Sequence, residues 1–218
     1  MRFGNNFFAY LATIFIAFSL VILPMKNALA NEESDKHNAQ GRTYYRNSDY
    51  QHAIEEYTKA IKIDEKNPAY HNNRGWAYCD SKDYANAEKD FSEAIRLDPN
   101  YAYAYRGLAR VYRDSNQSRN EDAISNFIEA GKISCAPGNF HSYEYAITVL
   151  NEALALNDDN AEAHNLRGQA YFNLEKYDEA LKDFNKVIQL DSNYTDAYRG
   201  LGFVYWKQDK RDRFIKGI

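Results

Sequence analysis

The stretch His71–Ile95, HNNRGWAYCDSKDYANAEKDFSEAI, decides the fold. Gly75, Tyr78, Tyr84, Ala87, Phe91 and Ala94 stand in it at fixed offsets, and 34 residues earlier the same series reads Gly41, Tyr44, Tyr50, Ala53, Tyr57, Ala60. Downstream, Ala109 and Tyr112 continue in register before the insertion in DSNQSRNED delays Ala123, Phe127 and Ala130 by two residues. Gly168, Tyr171, Tyr177, Ala180 and Phe184 give the series again, and Gly202 and Tyr205 begin it once more. Small and large residues recurring together at one period mark a repeated supersecondary unit. Each unit contains two stretches of helical periodicity, with a glycine in the first and an alanine in the second where two helices must approach closely.

A longer period runs beneath this one. Arg-Gly falls at 74 and 167, and at 106 and 199; both separations are 93 residues, as are those taking Tyr50, Ala53 and Ala60 to Tyr143, Ala146 and Ala153. The dipeptide is therefore inherited repeat sequence. An RNA-binding Arg-Gly tract needs a basic, glycine-rich segment, whereas this chain has 10 glycines in 218 residues and a formal net charge of −4.

Residues 1–30 differ from the rest of the chain. FFAYLATIFIAFSLVILP is apolar, Arg2 precedes it, and Ala28 and Ala30 place small residues at both recognition positions of a processing site. They read as a secretory signal peptide cleaved after Ala30, which predicts an exported, periplasmic or secreted protein. An uncleaved membrane anchor is the alternative, because Phe7–Leu23 approaches the roughly 20 residues that span a bilayer. Removing residues 1–30 takes Arg2 and Lys26 and leaves 25 basic against 31 acidic side chains, which excludes nucleic acid and anionic membranes as expected partners.

The G-x2-Y, A-x3-F and P series resembles the tetratricopeptide repeat. The resemblance covers nearly all of the chain after residue 30, and Pro99 is the one clear closing proline. It departs at the early Trp position, occupied by His37, His71, Tyr105, His164 and Tyr198, and at Val187 in place of the second alanine. It implies an all-α fold, a right-handed solenoid of antiparallel helix pairs. The repeats fall at 34–67, 68–101 and 102–135 in a first block (31–135), then an irregular junction at 136–142. A second block (143–218) comes after it, with a half repeat at 143–160, a repeat at 161–194 and a truncated repeat at 195–218.

At the junction, EDAISNFIEAGKI and SYEYAITVLNEALAL both carry second-helix spacing, with SCAPGN standing where a first helix belongs. Either two stacked blocks meet there, or helix 121–133 serves both and the solenoid runs on. In the last unit Phe214 takes the position of a small alanine in KQDKRDRFIKGI, so the expectation is a fragment of a second helix and an uncapped end.

Catalytic chemistry finds no constellation: there is no G-x-S-x-G, no phosphate loop and no carboxylate pair in an expected cleft. His37, His71 and His164 share one repeat position, so the period spreads them over different units, about 10 Å or more apart, beyond the reach of one metal. Cys79 and Cys135 are expected at opposite ends of a helical layer as free thiols. No cofactor or metal is expected.

What remains is surface. In the family that the chain resembles, first-helix positions two, five, nine and twelve line a concave groove. Carried over, they give the candidate ligand-binding residues Asn38, Arg42, Asn72, Trp76, Tyr103, Arg106, Arg110, Arg113, Asn165, Phe172, Arg199, Phe203 and Trp206. Both tryptophans and five arginines fall in this set although the chain is acidic, and Trp and Arg are enriched at binding hot spots. Trp76 and Phe172 have a competing role as packing between first helices. The expected function is a non-enzymatic protein–protein interaction scaffold of the cell envelope, whose partner is a protein or peptide, acidic with an apolar anchor. The alternative is an assembly subunit that self-associates, as a homo-oligomer, or docks through its C-terminal end. Family members that hold the acidic tails of heat-shock chaperones use Lys, Asn, Asn, Lys and Arg; the corresponding residues are Asn38, Arg42, Asn73, Tyr103 and Gly107, of which only Asn73 matches.

Overall fold

The computed structural model describes residues 28–115, 117–136 and 143–216, the side chains of 117 and 210–216 apart. The apolar segment and most of the expected signal peptide lie outside the described residues, as do residues 137–142 of the junction. The described elements are helices: α1 (28–46), α2 (Tyr50–Ile63), α3 (Pro68–Asp80), α4 (Tyr84–Leu97), α5 (Ala102–Ser115), a 3-10 turn Gln117–Arg119, α6 (Asn120–Cys135), α7 (Tyr143–Leu156), α8 (Ala161–Asn173), α9 (Tyr177–Leu190) and α10 (Thr195–Lys216).

Local chemistry sets the ends. Asn67 accepts a hydrogen bond from the amide of Ala69 and precedes Pro68, and Asn160 caps the amide of Ala163. Asp49 and Asp83 cap α2 and α4 through the amides of His52 and Asn86. Between first and second helices one residue turns left-handed, at Ser48, Lys82 and Glu175, and the next amide returns to Tyr44, Tyr78 or Tyr171.

The units then lock through an aromatic ring held between glycines. Phe91 of α4 is fully buried against Gly75 of α3 and Gly107 of α5; a Cβ at Gly75 would stand 2.9 Å from its ring, and one at Gly107 would stand closer. Phe184 of α9 occupies the same place between Gly168 of α8 and Gly200 of α10. These are the four glycines of the four Arg-Gly pairs. Two of their arginines tether the same helices: Arg74 makes a bidentate pair with Asp90 and Arg167 with Asp183, at 2.7–2.8 Å, tying α3 to α4 and α8 to α9. His71 and His164 sit beside the same carboxylates, and His37 bonds Glu56 at 2.6 Å.

At the junction α6 takes two roles. It packs on α5 as a second helix, through Ala123, Phe127 and Ala130, and on α7 as a first helix, with Gly131 against Leu150. It therefore buries eight residues where α2, α4 and α9 each bury four. One core runs from α5 through α6 and α7 into α8 without a break. Because α6 is used twice, the layers exchange. Neighbours in one layer are α5 and α7, joined by Arg106–Glu152 at 2.6 Å and Tyr103 against Tyr145. In the other, α6 and α8 are joined by Lys132–Glu162 at 2.8 Å. First helices thus lie in the odd-numbered layer up to α5 and in the even-numbered layer from α6 onward, and the two groove faces open on opposite sides of the slab.

The end differs from expectation. α10 continues unbroken to Lys216 instead of turning into a second-helix fragment. The equivalents of the capping Asp83 and of Tyr84 are Lys210 and Arg211, and Phe214 replaces the alanine that lets a second helix approach. Gly202 consequently has nothing within 4 Å of where its Cβ would be.

Two outcomes are expected. Gly107→Ala should cost about 1–3 kcal/mol by overpacking against Phe91, whereas Gly202→Ala should stabilise by up to about 1 kcal/mol through helix propensity; urea unfolding of both variants checks this. For His71, burial lowers the pKa but Asp90 and the Glu65 carbonyl outweigh it, so the folded value lies above 6.5. Its contribution is therefore present below pH 6.5 and lost as pH rises through the folded value. The stability difference between wild type and His71→Gln, followed by thermal melts from about pH 5.5 to about pH 8.5, should shrink with rising pH.

Candidate peptide-binding cleft

Three first helices, α1, α3 and α5, build a cleft of about 440 Å³ lined by Arg42, Tyr45, Arg46, Tyr57, Asn73, Trp76, Arg106 and Arg110. Four arginines line it and no carboxylate does. Arg110 lies over the Trp76 ring at 5.3 Å, and the Trp76 ring meets Phe91 edge-on at 5.4 Å, so this tryptophan both packs and faces the cleft.

The arginines are not equivalent. Arg110 pairs with Asp80 at 2.8 Å and with Asp114 at 3.3 Å. Arg106 and Arg113 share Glu152 of α7, at 2.6 and 3.5 Å. Arg42 and Arg46, one turn apart on α1, are exposed and have no ion pair among the described residues. They lie over Tyr57, whose hydroxyl burial pushes up to about 12 while the two guanidinium groups pull it down. Tyr45 donates its hydroxyl to Asp80, and its pKa is raised first by burial and then by that carboxylate.

The structure brings Arg42, Trp76, Arg106 and Arg110 together, with Arg113 and the half-exposed Tyr103 beside them along α5. Asn38 is engaged by Asn73, whose Nδ2 donates to it at 2.9 Å. Asn72 and Asn165 are placed differently from the sequence expectation: at 5% and 4% exposure they lie beneath the groove surfaces, each with a buried Oδ1 that lacks a partner among the described residues. Phe172, Arg199, Phe203 and Trp206 are on the opposite side of the slab, because α8 and α10 belong to the other layer. A smaller cavity of about 160 Å³ there is lined by Phe172, Arg199 and Phe203 with Gln169, Asn173, Phe184, Asp196 and Gly200. Sequence reading missed Arg46, one position beyond the expected face, and Glu152 and Tyr145, which meet Arg106 and Tyr103 of α5 only because α7 lies beside it. No signal in a 34-residue period could have found those two.

Among the described residues no group of three His, Cys, Asp or Glu side chains is placed to hold a metal ion, and no helix is long and apolar enough to cross a membrane. Cys79 and Cys135 are free, and burial pushes both thiols up to about 11.

Among solved structures, the TPR2B domain of yeast Sti1 in its pHsp70 complex superposes with a TM-score of 0.51 at 22% identity, over 57% of this chain and 98% of that one. TTC0263, a thermophilic TPR protein of Thermus thermophilus, gives 0.44 at 17% identity over 79% of this chain and 99% of that one. The Arabidopsis OM64 TPR domain gives 0.44 at 21% identity, covering 65% and 96%. No curated protein matches the chain. The TPR repeat model matches residues 41–79, 142–175 and 168–209, and the tetratricopeptide repeat model matches 68–101. Between them these matches take in more than half of the chain, on the same units that the glycine–aromatic packing defines, and the chain belongs to the tetratricopeptide repeat family.

Proposed function

We propose that the protein is a non-enzymatic interaction scaffold of the cell envelope that binds an acidic peptide or protein segment carrying a large apolar side chain. The observation that carries this reading is the pair Arg42 and Arg46, without carboxylate partners among the described residues, one helix turn apart beside Trp76 in a cleft lined by no acid. Guanidinium groups bind carboxylates bidentately, and a half-buried tryptophan offers an apolar anchor. The Sti1 complex, a peptide-bound domain of the same fold, supports a peptide as ligand. A heat-shock tail is disfavoured, since only Asn73 of that clamp is present.

Export rests on residues 1–30 and their Ala-x-Ala site, with an uncleaved anchor as the alternative. A second reading, an assembly subunit, is favoured by one observation: Tyr198, Gly202 and Tyr205 are open on α10, whereas the equivalent His71, Gly75 and Tyr78 of α3 are covered by α4. Light scattering across a concentration series separates the two readings. A monomer that still captures peptide supports the scaffold; a dimer lost in Tyr205→Glu supports assembly.

For the cleft, affinity for a glutamate-flanked peptide should fall as salt rises, because exposed charge pairs are screened. Trp76→Ala should cost about 2 kcal/mol of binding with helix content retained. A lower melting temperature with unchanged affinity would instead make Trp76 packing alone. Mass spectrometry of protein recovered from the producing cell should find Asn31 as the N-terminus; retention of Met1 would indicate an anchor.

A further inference from the structure

The cavity at α8 and α10 is the cationic cleft over again, 127 residues later. Tyr57 beneath the first corresponds to Phe184 beneath the second, Tyr45 to Phe172 and Trp76 to Phe203. The aromatic frame is thus kept while the charge is removed, since Gln169 stands for Arg42 and Asn173 for Arg46. The ions that remain are already satisfied within this face: Arg199 pairs with Asp196 at 3.0 Å, and Lys132 with Glu162 at 2.8 Å. Phe203 is 52% exposed and lies 6.3 Å from Phe172, so two rings flank an opening above Phe184. At about 160 Å³, the opening equals about five waters at ~30 Å³ each, room for one large side chain.

We infer that this is a second binding site, for an uncharged peptide segment that inserts one aromatic or branched apolar side chain between Phe172 and Phe203, and that it works at the same time as the cationic cleft. The chemistry rests on the replacements: neutral amides at 169 and 173 can hydrogen-bond a peptide backbone but cannot hold a carboxylate as guanidinium groups do. Simultaneous occupancy rests on the doubled role of α6, which puts α8 and α10 in the layer opposite α1, α3 and α5. A ligand in one groove meets the other only through the thickness of two packed helices. The chain then joins two different partners, with no competition between them.

The test uses the whole chain and labelled peptides of one length with a central Phe, Leu or Tyr, flanked by glutamates in one set and by glutamines in the other. A glutamine-flanked peptide should bind, and saturating glutamate-flanked peptide should change its affinity by less than twofold. Phe203→Ala, at an exposed position, should weaken the neutral peptide at least tenfold and leave the acidic one unchanged; Arg42→Glu with Arg46→Glu should do the reverse. Gln169→Arg with Asn173→Arg should create a second equivalent of acidic-peptide binding. Displacement of the neutral peptide by the acidic one, indifference of its affinity to Phe203→Ala, or failure of every neutral peptide to bind overturns the second site. Failure of the acidic peptides alone overturns the cationic-cleft reading and leaves the second site standing.

Discussion

Phe91 occupies space that two alanines, at 75 and at 107, would claim for their Cβ atoms. Everything else in the stack depends on that arrangement. A glycine in the first helix of one unit and another in the first helix of the next let one ring serve as the contact for three helices, so each unit is completed only by its neighbour. Phe184 repeats the device between Gly168 and Gly200. At Arg74–Gly75 and at Arg167–Gly168 a single dipeptide therefore supplies both a void for packing and a cation for tethering. Arg74 and Arg167 spend that cation on buried carboxylates within their own units. Such pairs are a weak source of net stability, but removing one partner leaves a buried charge, which makes them strict about which second helix is accepted.

The same constraint explains the junction. A second helix needs a small residue facing it, and α6 offers small residues on two sides: Ala130 and Ala123 toward α5, and Gly131 toward α7. With both surfaces apolar, one helix replaces the two that a regular array would use. An odd helix cannot be absorbed without consequence in a structure that alternates between two layers. It exchanges the layers, turns the later groove to the other side, and brings Glu152 against Arg106 and Arg113. A carboxylate that a regular solenoid would place on the outer layer here pairs with two arginines of α5, one of which lines the cationic cleft.

The unit and its helices were legible in the sequence because the packing contact is periodic: Gly, Tyr, Ala and Phe positions are fixed by which atoms touch, and they recur every 34 residues. Arg42, Trp76, Arg106 and Arg110 were legible for the same reason, as one face of helices at known phase. The direction in which α8 and α10 face was not, since it depends on counting helices through a junction where SCAPGN left two readings open. The burial of Asn72 and Asn165 was also hidden, because position five lies at the edge of the first-helix contact and its exposure depends on how tightly neighbours close. The continuation of α10 could have been foreseen in part: Phe214 signalled a second helix that could not approach, but not that the first helix would run on in its place.

The pairing pattern inside the cleft bears on selectivity. Arg106 and Arg110 are held by Glu152 and Asp80, so a ligand carboxylate can take them only by sharing or displacing an internal counter-ion, while Arg42 and Arg46 are available without that exchange. The strongest attraction for an anion is therefore at the α1 end, and Trp76 lies between the available pair and the committed pair. A ligand with its acidic group and its apolar side chain in the right order gains both contacts. One with the order reversed must set its acid against the arginines that already have partners. Direction along the cleft is thus written in which arginines are paired, not in how many there are.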